Sequence, residues 1–172
     1  MVFLQHTLNE YNRQAFENMA HTDSLTGLNN RRCFEYLAQQ LVQQNFDQPV
    51  PMSLLVFDVD HFKQINDRYG HDIGDQVLQT IALNTHSEMR QHDILARYGG
   101  EEFIAFLPET SLDEALKVAE RLRHKIENIV IDLDSQHRFS FSISIGAAIL
   151  ESCETDLMTL IKQADIALYQ AK

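Results

Sequence analysis

Apolar positions along this chain follow two rhythms, a three-to-four-residue spacing and short continuous or alternating runs, and the switches between them predict helices interleaved with strands. Residues 1 to 20 carry Leu4, Leu8, Tyr11, Ala15 and Met19 at helical spacing, an amphipathic helix too short to be stable alone. Its apolar stripe needs the following domain, a second copy of itself or an upstream domain to pack against. A junction over Thr22–Gly27 leads to a helix from Arg31 to Gln44, with Phe34, Leu37, Leu41 and Val42 on one face, and then to a loop at Asp47–Pro51. Ser53 to Asp58 is apolar throughout until its terminal acid, the pattern of a strand buried on both faces. The pattern then predicts a short helix from Phe62 to Tyr69, a turn over Gly70–Gly74, and a longer helix from Asp75 to Gln91 with Val77, Leu78, Ile81, Ala82 and Met89 inward. Two apolar runs, Ile94–Tyr98 and Phe103–Leu107, flank Gly99-Gly100, a hairpin signal because both glycines tolerate positive φ. Ser111 and Glu114 have capping-box spacing and open a helix reaching to about Ile131. Ser140–Leu150 alternates as a half-buried strand, and Asp156–Ala171 is a final helix. Strands, an antiparallel hairpin and helices in this order predict an α/β sandwich with helices packed on a mixed sheet.

With 172 residues, 44% of them hydrophobic, the chain can bury one substantial core, so a single domain with a leading appendage is expected. No apolar run reaches membrane-spanning length and no signal-like segment opens the chain, which predicts an intracellular domain without direct membrane contact. Cys33 and Cys153 lie far apart with no ligand spacing and read as reduced thiols. A net charge of −11 argues against nucleic-acid binding, because no basic stripe could neutralise a phosphate backbone. It leaves a nucleotide substrate open, since a cation, a lysine and backbone N–H groups can make a site locally positive.

The candidate chemistry sits at two acidic ends. Asp58-Val59-Asp60 closes the most buried strand, where α/β sheets tend to bind ligands, and alternation puts both carboxylates on one side. Glu101-Glu102 follows the glycine pair, whose lack of Cβ atoms lets a bulky ligand approach the backbone. Mg²⁺ prefers one or two carboxylates with water and phosphate completing its shell, and Asp58 and Glu101 supply that pair if their strands are neighbours. Asp60 is expected instead to cap the helix that follows.

Four separated stretches resemble the GGDEF domain, the diguanylate cyclase family, in its Gly-Gly-Glu-Glu-Phe form. They are Asp23–Arg32, the Asp58–Asp75 block beginning Asp-Val-Asp-His-Phe-Lys, Arg97–Phe103, and Ala164–Lys172. They occur in the family's order and cover nearly everything after residue 21, which makes residues 1–20 a signalling or linker helix and 21–172 the domain. The resemblance implies a five-stranded mixed central sheet surrounded by helices, similar to nucleotidyl cyclases and the polymerase palm. It also implies condensation of two GTP into cyclic di-GMP with release of two pyrophosphates, in a homodimer whose subunits each hold one GTP. By the same resemblance the metal ligands are Asp58, the Val59 carbonyl and Glu101, for Mg²⁺ with Mn²⁺ as an alternative. Glu101 is also the proton acceptor, and Lys63 the transition-state stabiliser. Asn66, His71, Asp75, Phe62, Gly99, Gly100 and Lys162 contact substrate, and Arg90-x-x-Asp93 is an inhibitory site for the product. An Asp and an Asn suit guanine, whose N1–H and N2–H₂ adenine does not match. The family also implies an upstream sensory domain and a cytoplasmic location, with the cytoplasmic part of a larger, membrane-bound sensor as an alternative setting. A different class remains in view, a catalytically silent module that binds GTP or cyclic di-GMP and signals through partners. The chain stops at Ala171-Lys172, where the family's members usually continue to a Gly-Arg-Asn segment.

Overall fold

The structure, a computed structural model, describes residues 21–45, 50–134, 137–150 and 155–172. The leading helix expected over residues 1 to 20, most of the Asp47–Pro51 loop and Cys153 lie outside the described residues. The elements in chain order are β1 (Asn29–Asn30), α1 (Arg31–Gln44), β2 (Met52–Val59), α2 (Phe62–Tyr69), α3 (His71–Glu88), β3 (Ile94–Arg97), β4 (Glu102–Leu107), α4 (Leu112–Glu127), β5 (Val130–Asp132), β6 (Arg138–Ser140), β7 (Ile143–Leu150) and α5 (Leu157–Ala171).

Five strands form a mixed sheet in the order β1-β3-β4-β2-β7, as expected. β2 is an interior strand antiparallel to both β4 and β7, while β1 runs parallel to β3. All eight residues of β2 are buried, because the sheet is covered on both faces. Its alternation divides the core. Leu55, Phe57 and Val59 pack with Val77, Leu78 and Ile81 of α3 and with Leu122 and Ile126 of α4. Met52, Leu54 and Val56 face Phe34 and Ala38 of α1 and Leu160, Ala164 and Leu168 of α5. Each large apolar side chain so enclosed contributes roughly 1.5–3 kcal/mol. Phe57 lies opposite Phe103 in the β2/β4 ladder, their rings stacked with centroids 5.5 Å apart. Register is thereby pinned beside the acidic end, since a one-residue slip would turn both rings out of the core.

Helix ends follow the sequence. Asn30 caps α1 by accepting from Cys33 N–H, Ser111 and Glu114 form the expected capping box, and Asp156 caps α5 through Thr159 N–H. Cys33 is a buried free thiol. Three boundaries depart from the sequence reading. α3 begins at His71 rather than Asp75, because Gly70 alone turns the corner at φ 89° and ends α2 as well. α4 stops at Glu127, and the residues beyond it build a small separate hairpin, β5 against β6, with Ile131 opposite Phe139. Ser140 belongs to that hairpin, so the expected strand over 140–150 starts at Ile143. Among the described residues no helix is long and apolar enough to cross a membrane.

α5 lies very close on β7. A Cβ on Gly146 would collide with the Ala164 carbonyl and the Leu168 N–H of α5. This contact sets the path of the last helix, and hence where its terminal lysine arrives.

Candidate active site

The antiparallel pairing of β2 with β4 puts Asp58 directly opposite Glu102, so Glu101 stands one residue beyond the ladder at the same end of the sheet. Burial, and then the negative charge of Asp58, push the Glu101 carboxyl above its ordinary range, an effect partly offset by Lys172. Asp58 is only 6% exposed. Its Oδ2 accepts from Lys172 Nζ at 2.6 Å, while its Oδ1 is buried with no partner among the described residues. The Lys172 ammonium also feels Asp60 and Glu101, and its bond to Asp58 raises its pKa. An ammonium drawn to three carboxylates marks a position where positive charge is favoured. A hard divalent cation fits the charge of that position, where Asp58 and Glu101 offer carboxylate oxygens. Among the described residues no cluster of three or more His, Cys, Asp or Glu side chains suits a metal, so water or a ligand's phosphates would complete the shell.

The hairpin carrying Glu101 is held from several sides. Tyr98 N–H and Gly99 N–H both donate to the Glu102 carbonyl, at 2.8 and 3.2 Å. Arg97 donates to the Gly100 carbonyl from Nε at 3.1 Å and from Nη2 at 2.7 Å. Its Nη1 meets both oxygens of Asp23 at 3.2 Å. Burial alone would raise the Asp23 pKa, but bonds from Thr26 and Arg97 hold it below its ordinary value. The Tyr98 hydroxyl donates to Glu35 at 2.8 Å beneath the Arg31 guanidinium, 4.6 Å from the ring centre, and burial followed by that bond pushes its pKa up to about 12. The junction before α1 and the hairpin are thus tied together. Gly99 and Gly100 are not at positive φ; among the described residues the glycines that are so placed are Gly27 and Gly70. The expectation that the pair serves φ is corrected here: the strands already close through the Tyr98 and Gly99 bonds, and the pair's contribution is space. A Cβ on Gly100 would meet nothing within 4 Å, whereas one on Gly99 would come 2.5 Å from Glu102 Oε2.

The corner between α2 and α3 gathers a second group. A Cβ on the buried Gly74 would collide with Asn66 Oδ1 and come 3.2 Å from the tip of Phe62, so Phe62, Asn66 and the start of α3 meet there. Asn66 Oδ1 is buried with no partner among the described residues. Asn66 lies within α2 and does not cap it; Asp75 and His71 are exposed on the first turns of α3 beside it. Lys63 is exposed in the first turn of α2.

Two placements differ from the sequence reading. Asp60 does not cap α2, whose N-terminal residue His61 is left-handed at φ 56° with no side-chain cap. Its carboxylate instead accepts from Ser142 Oγ and Ser144 Oγ, each at 2.6 Å. Lys162 is exposed ten residues before Lys172, about 15 Å up the same helix at 1.5 Å per residue. The lysine that reaches the acids is therefore Lys172, just past the end of α5, which the sequence reading missed. Its signal was its position, directly after the last residue of a helix packed on β7.

Away from the acids, Arg90 and Asp93 follow the end of α3. Arg90 N–H donates to Asp93 Oδ2 at 2.7 Å, Asp93 Oδ1 is buried with no partner among the described residues, and the Arg90 side chain is exposed. The two side chains make no ion pair with each other among the described residues. They line a cavity of about 480 Å³ with Leu28, His86, Met89 and Leu95.

With this geometry in view, the family model described as "Diguanylate cyclase, GGDEF domain" matches residues 20–172. The chain belongs to the GGDEF family. It is 43% identical over 158 residues to the uncharacterized protein YhcK of Bacillus subtilis, covering 91% of this chain and 44% of that one. It is 40% identical over 174 residues to the diguanylate cyclase DgcM of Escherichia coli, covering 100% of this chain and 41% of DgcM. The chain spans less than half the length of these curated relatives. Among solved structures, the GGDEF domain of DgcB from Caulobacter crescentus in complex with c-di-GMP superposes with a TM-score of 0.84 at 28% identity, over 89% of this chain and 88% of that one.

Proposed function

We propose that this GGDEF domain is a diguanylate cyclase that condenses two GTP into cyclic di-GMP and two pyrophosphates. The observation that carries the reading is the pairing of β2 with β4, which brings Asp58 and Glu101 to one end of the sheet and leaves Asp58 Oδ1 buried without a partner. An unpaired buried acceptor costs about 1–3 kcal/mol. A centre that meets a cation only when substrate arrives accounts for that cost.

Asp58, the Val59 carbonyl and Glu101 are the ligands in this reading, for Mg²⁺ or Mn²⁺. When bound, the ion would neutralise phosphate charge and lower the pKa of the attacking 3′-hydroxyl, for which Glu101 is the proton acceptor. Lys63, a mobile point charge on the first turn of α2, spreads the charge developing on the transferred phosphoryl group. Lys172 rather than Lys162 is the nearby ammonium for the triphosphate, since it already lies 2.6 Å from Asp58. Asn66 and Asp75 take guanine, the orphaned Asn66 Oδ1 accepting from its N–H groups, with Phe62 and His71 at the same corner. Gly99 and Gly100 leave the ligand room.

Each domain holds one GTP, so two copies face each other in a homodimer and each presents its 3′-hydroxyl to the other's α-phosphate. Catalysis rests on alignment and charge stabilisation. The Arg90–Asp93 turn beside its cavity is the inhibitory product site, the guanidinium taking phosphate or guanine oxygens and the carboxylate guanine N–H groups. Residues 1–20 would link this domain to an upstream sensor, and a GTP-consuming enzyme works in the cytoplasm.

Incubating the purified protein with GTP and Mg²⁺ and identifying the nucleotides by mass spectrometry tests the reading. Cyclic di-GMP should form, and should vanish with Glu101→Ala. GTP binding without any cyclic product would favour the silent module instead.

A further inference from the structure

Asp58 and Asp60 stand two residues apart at the end of the same strand, yet they meet opposite surroundings. Asp58 keeps a bare buried oxygen. Asp60 has both oxygens occupied, by Ser142 Oγ and Ser144 Oγ at 2.6 Å each, and its N–H donates to the Ser142 carbonyl at 3.0 Å. We infer that Asp60 is a positioning residue, a clamp that fastens the turn carrying Asp58 and the Val59 carbonyl to the start of β7 through Ser142 and Ser144. The inference rests on the reading of Asp58, Val59 and Glu101 as the cation-binding centre.

The turn needs a clamp. The β2/β7 ladder ends at Val59 opposite Ile143, and the next residue but one, His61, is left-handed at φ 56°. A non-glycine residue there costs about 1–3 kcal/mol. α2 then begins without a side-chain cap to share that cost. Hydrogen bonds to an ionised carboxylate are roughly twice as strong as neutral ones, and short O–H···O⁻ distances of this kind are their mark. Ser142 and Ser144, two residues apart on an extended segment, project to the same side and grip one carboxylate together. With both oxygens engaged, Asp60 has little left to offer a cation directly. A cavity of about 330 Å³ opens against this clamp, lined by Asp60, His61, Ser142, Ser144, Ala171 and Lys172, so the clamp and the acid-seeking lysine border one space.

The test is the affinity for a non-reacting GTP analogue with Mg²⁺, measured by calorimetry, together with the Mg²⁺ dependence of cyclic di-GMP formation. Four variants are compared: Asp60→Ala, Asp60→Asn, Ser142→Ala with Ser144→Ala, and the triple alanine variant. Outer partners that orient ligating groups typically cost 10–100-fold when removed, so Asp60→Ala and the paired serine variant should each weaken Mg²⁺-dependent binding by about 10-fold or more. The triple variant should be no weaker than Asp60→Ala, since the serines act through that carboxylate. Asp60→Asn, whose amide can still bond both hydroxyls, should lose only about threefold. Serine changes without effect, an Asn variant as impaired as the Ala variant, or additive losses in the triple variant would each overturn the clamp. If Asp60→Ala fails to fold, judged by its thermal transition, the Asn and serine variants alone decide. A wild-type protein that binds the analogue but yields no cyclic product would sink the cyclase reading while leaving the clamp to be scored on binding. One that shows no Mg²⁺-dependent binding of the analogue would overturn both.

Discussion

Two polar centres lie toward opposite ends of β3, a strand of four residues that spans roughly 13 Å. At its far end lies the crevice of Asp58, Glu101 and Lys172; at its foot lies the turn of Arg90 and Asp93. Each leaves one carboxylate oxygen, Asp58 Oδ1 or Asp93 Oδ1, buried with no partner among the described residues. The surroundings differ in sign. The crevice crowds acids until burial and the charge of Asp58 lift the Glu101 pKa, and it draws in an ammonium. The turn sets its orphaned oxygen and an exposed guanidinium, not paired with each other, along an open cavity. On the proposed reading, the same unmet acceptor takes a cation in one place and N–H donors in the other. What surrounds an unsatisfied atom, more than the atom, decides what it recognises.

The sharpest way to break the comparison is to remove the crevice's acids. Glu101→Ala or Asp58→Ala should lower the rate of cyclic di-GMP formation about a thousandfold, some 4 kcal/mol of transition-state stabilisation. Titration calorimetry should still detect cyclic di-GMP binding at Arg90–Asp93. Loss of both functions together would mean that the two centres are one.

Gly146→Ala probes the crevice from behind. The added methyl meets the backbone of α5 at Ala164 and Leu168, so the helix must shift, at a cost of about 2–3 kcal/mol in stability read by chemical denaturation. Because Lys172 ends that helix, GTP affinity should fall while cyclic di-GMP affinity at the turn does not. Unchanged stability would mean that α5 is less tightly seated than its contacts indicate.

Arg90→Ala is the converse change. Deleting one charged hydrogen-bonding partner should weaken cyclic di-GMP binding about 10–30-fold, roughly 1.5–2 kcal/mol. The half-saturating Mg²⁺ concentration should stay as in the wild type, and a shift in it would tie the turn to the crevice energetically.

Much of this arrangement was legible in the sequence because its signals are local or periodic. The unbroken apolar run Leu54–Phe57 announced a doubly buried strand, and the Ser111–Glu114 spacing announced a cap. The motif blocks named the family and nominated both centres. Signals that depend on tertiary placement were not legible. Nothing in the local pattern says that Lys172 rather than Lys162 ends beside Asp58, since that follows from the seating of α5 against Gly146. Asp60 had the spacing of a helix cap, and two serines more than eighty positions later took it instead. The first two residues of β5 were read as the tail of α4, because no glycine or proline marks the helix end at Asn128.

The smallest effect separates the crevice's charge from its chemistry. In a metal-free protein at pH 7, ionised Glu101 sits partly buried beside Asp58, and this is why its pKa is raised. A carboxyl with a raised folded-state pKa contributes stability below its ordinary value of 4.5, and that contribution is lost as pH rises through the folded value. Glu101→Gln removes the charge and keeps the shape. Without metal at pH 7 it should raise the thermal midpoint by about 1–3 °C, and the advantage should fade as pH falls toward 4.5. Saturating Mg²⁺ with a non-reacting GTP analogue should reverse the order, since the wild type gains binding free energy that the Gln variant forgoes. Protons compete with the cation for the same carboxylate, so the half-saturating Mg²⁺ concentration of the wild type should rise as pH falls from 7 to 5. A Gln variant no more stable than the wild type in the absence of metal would show that Asp58 and Glu101 do not repel one another, and the crevice would lose its claim to a shared cation.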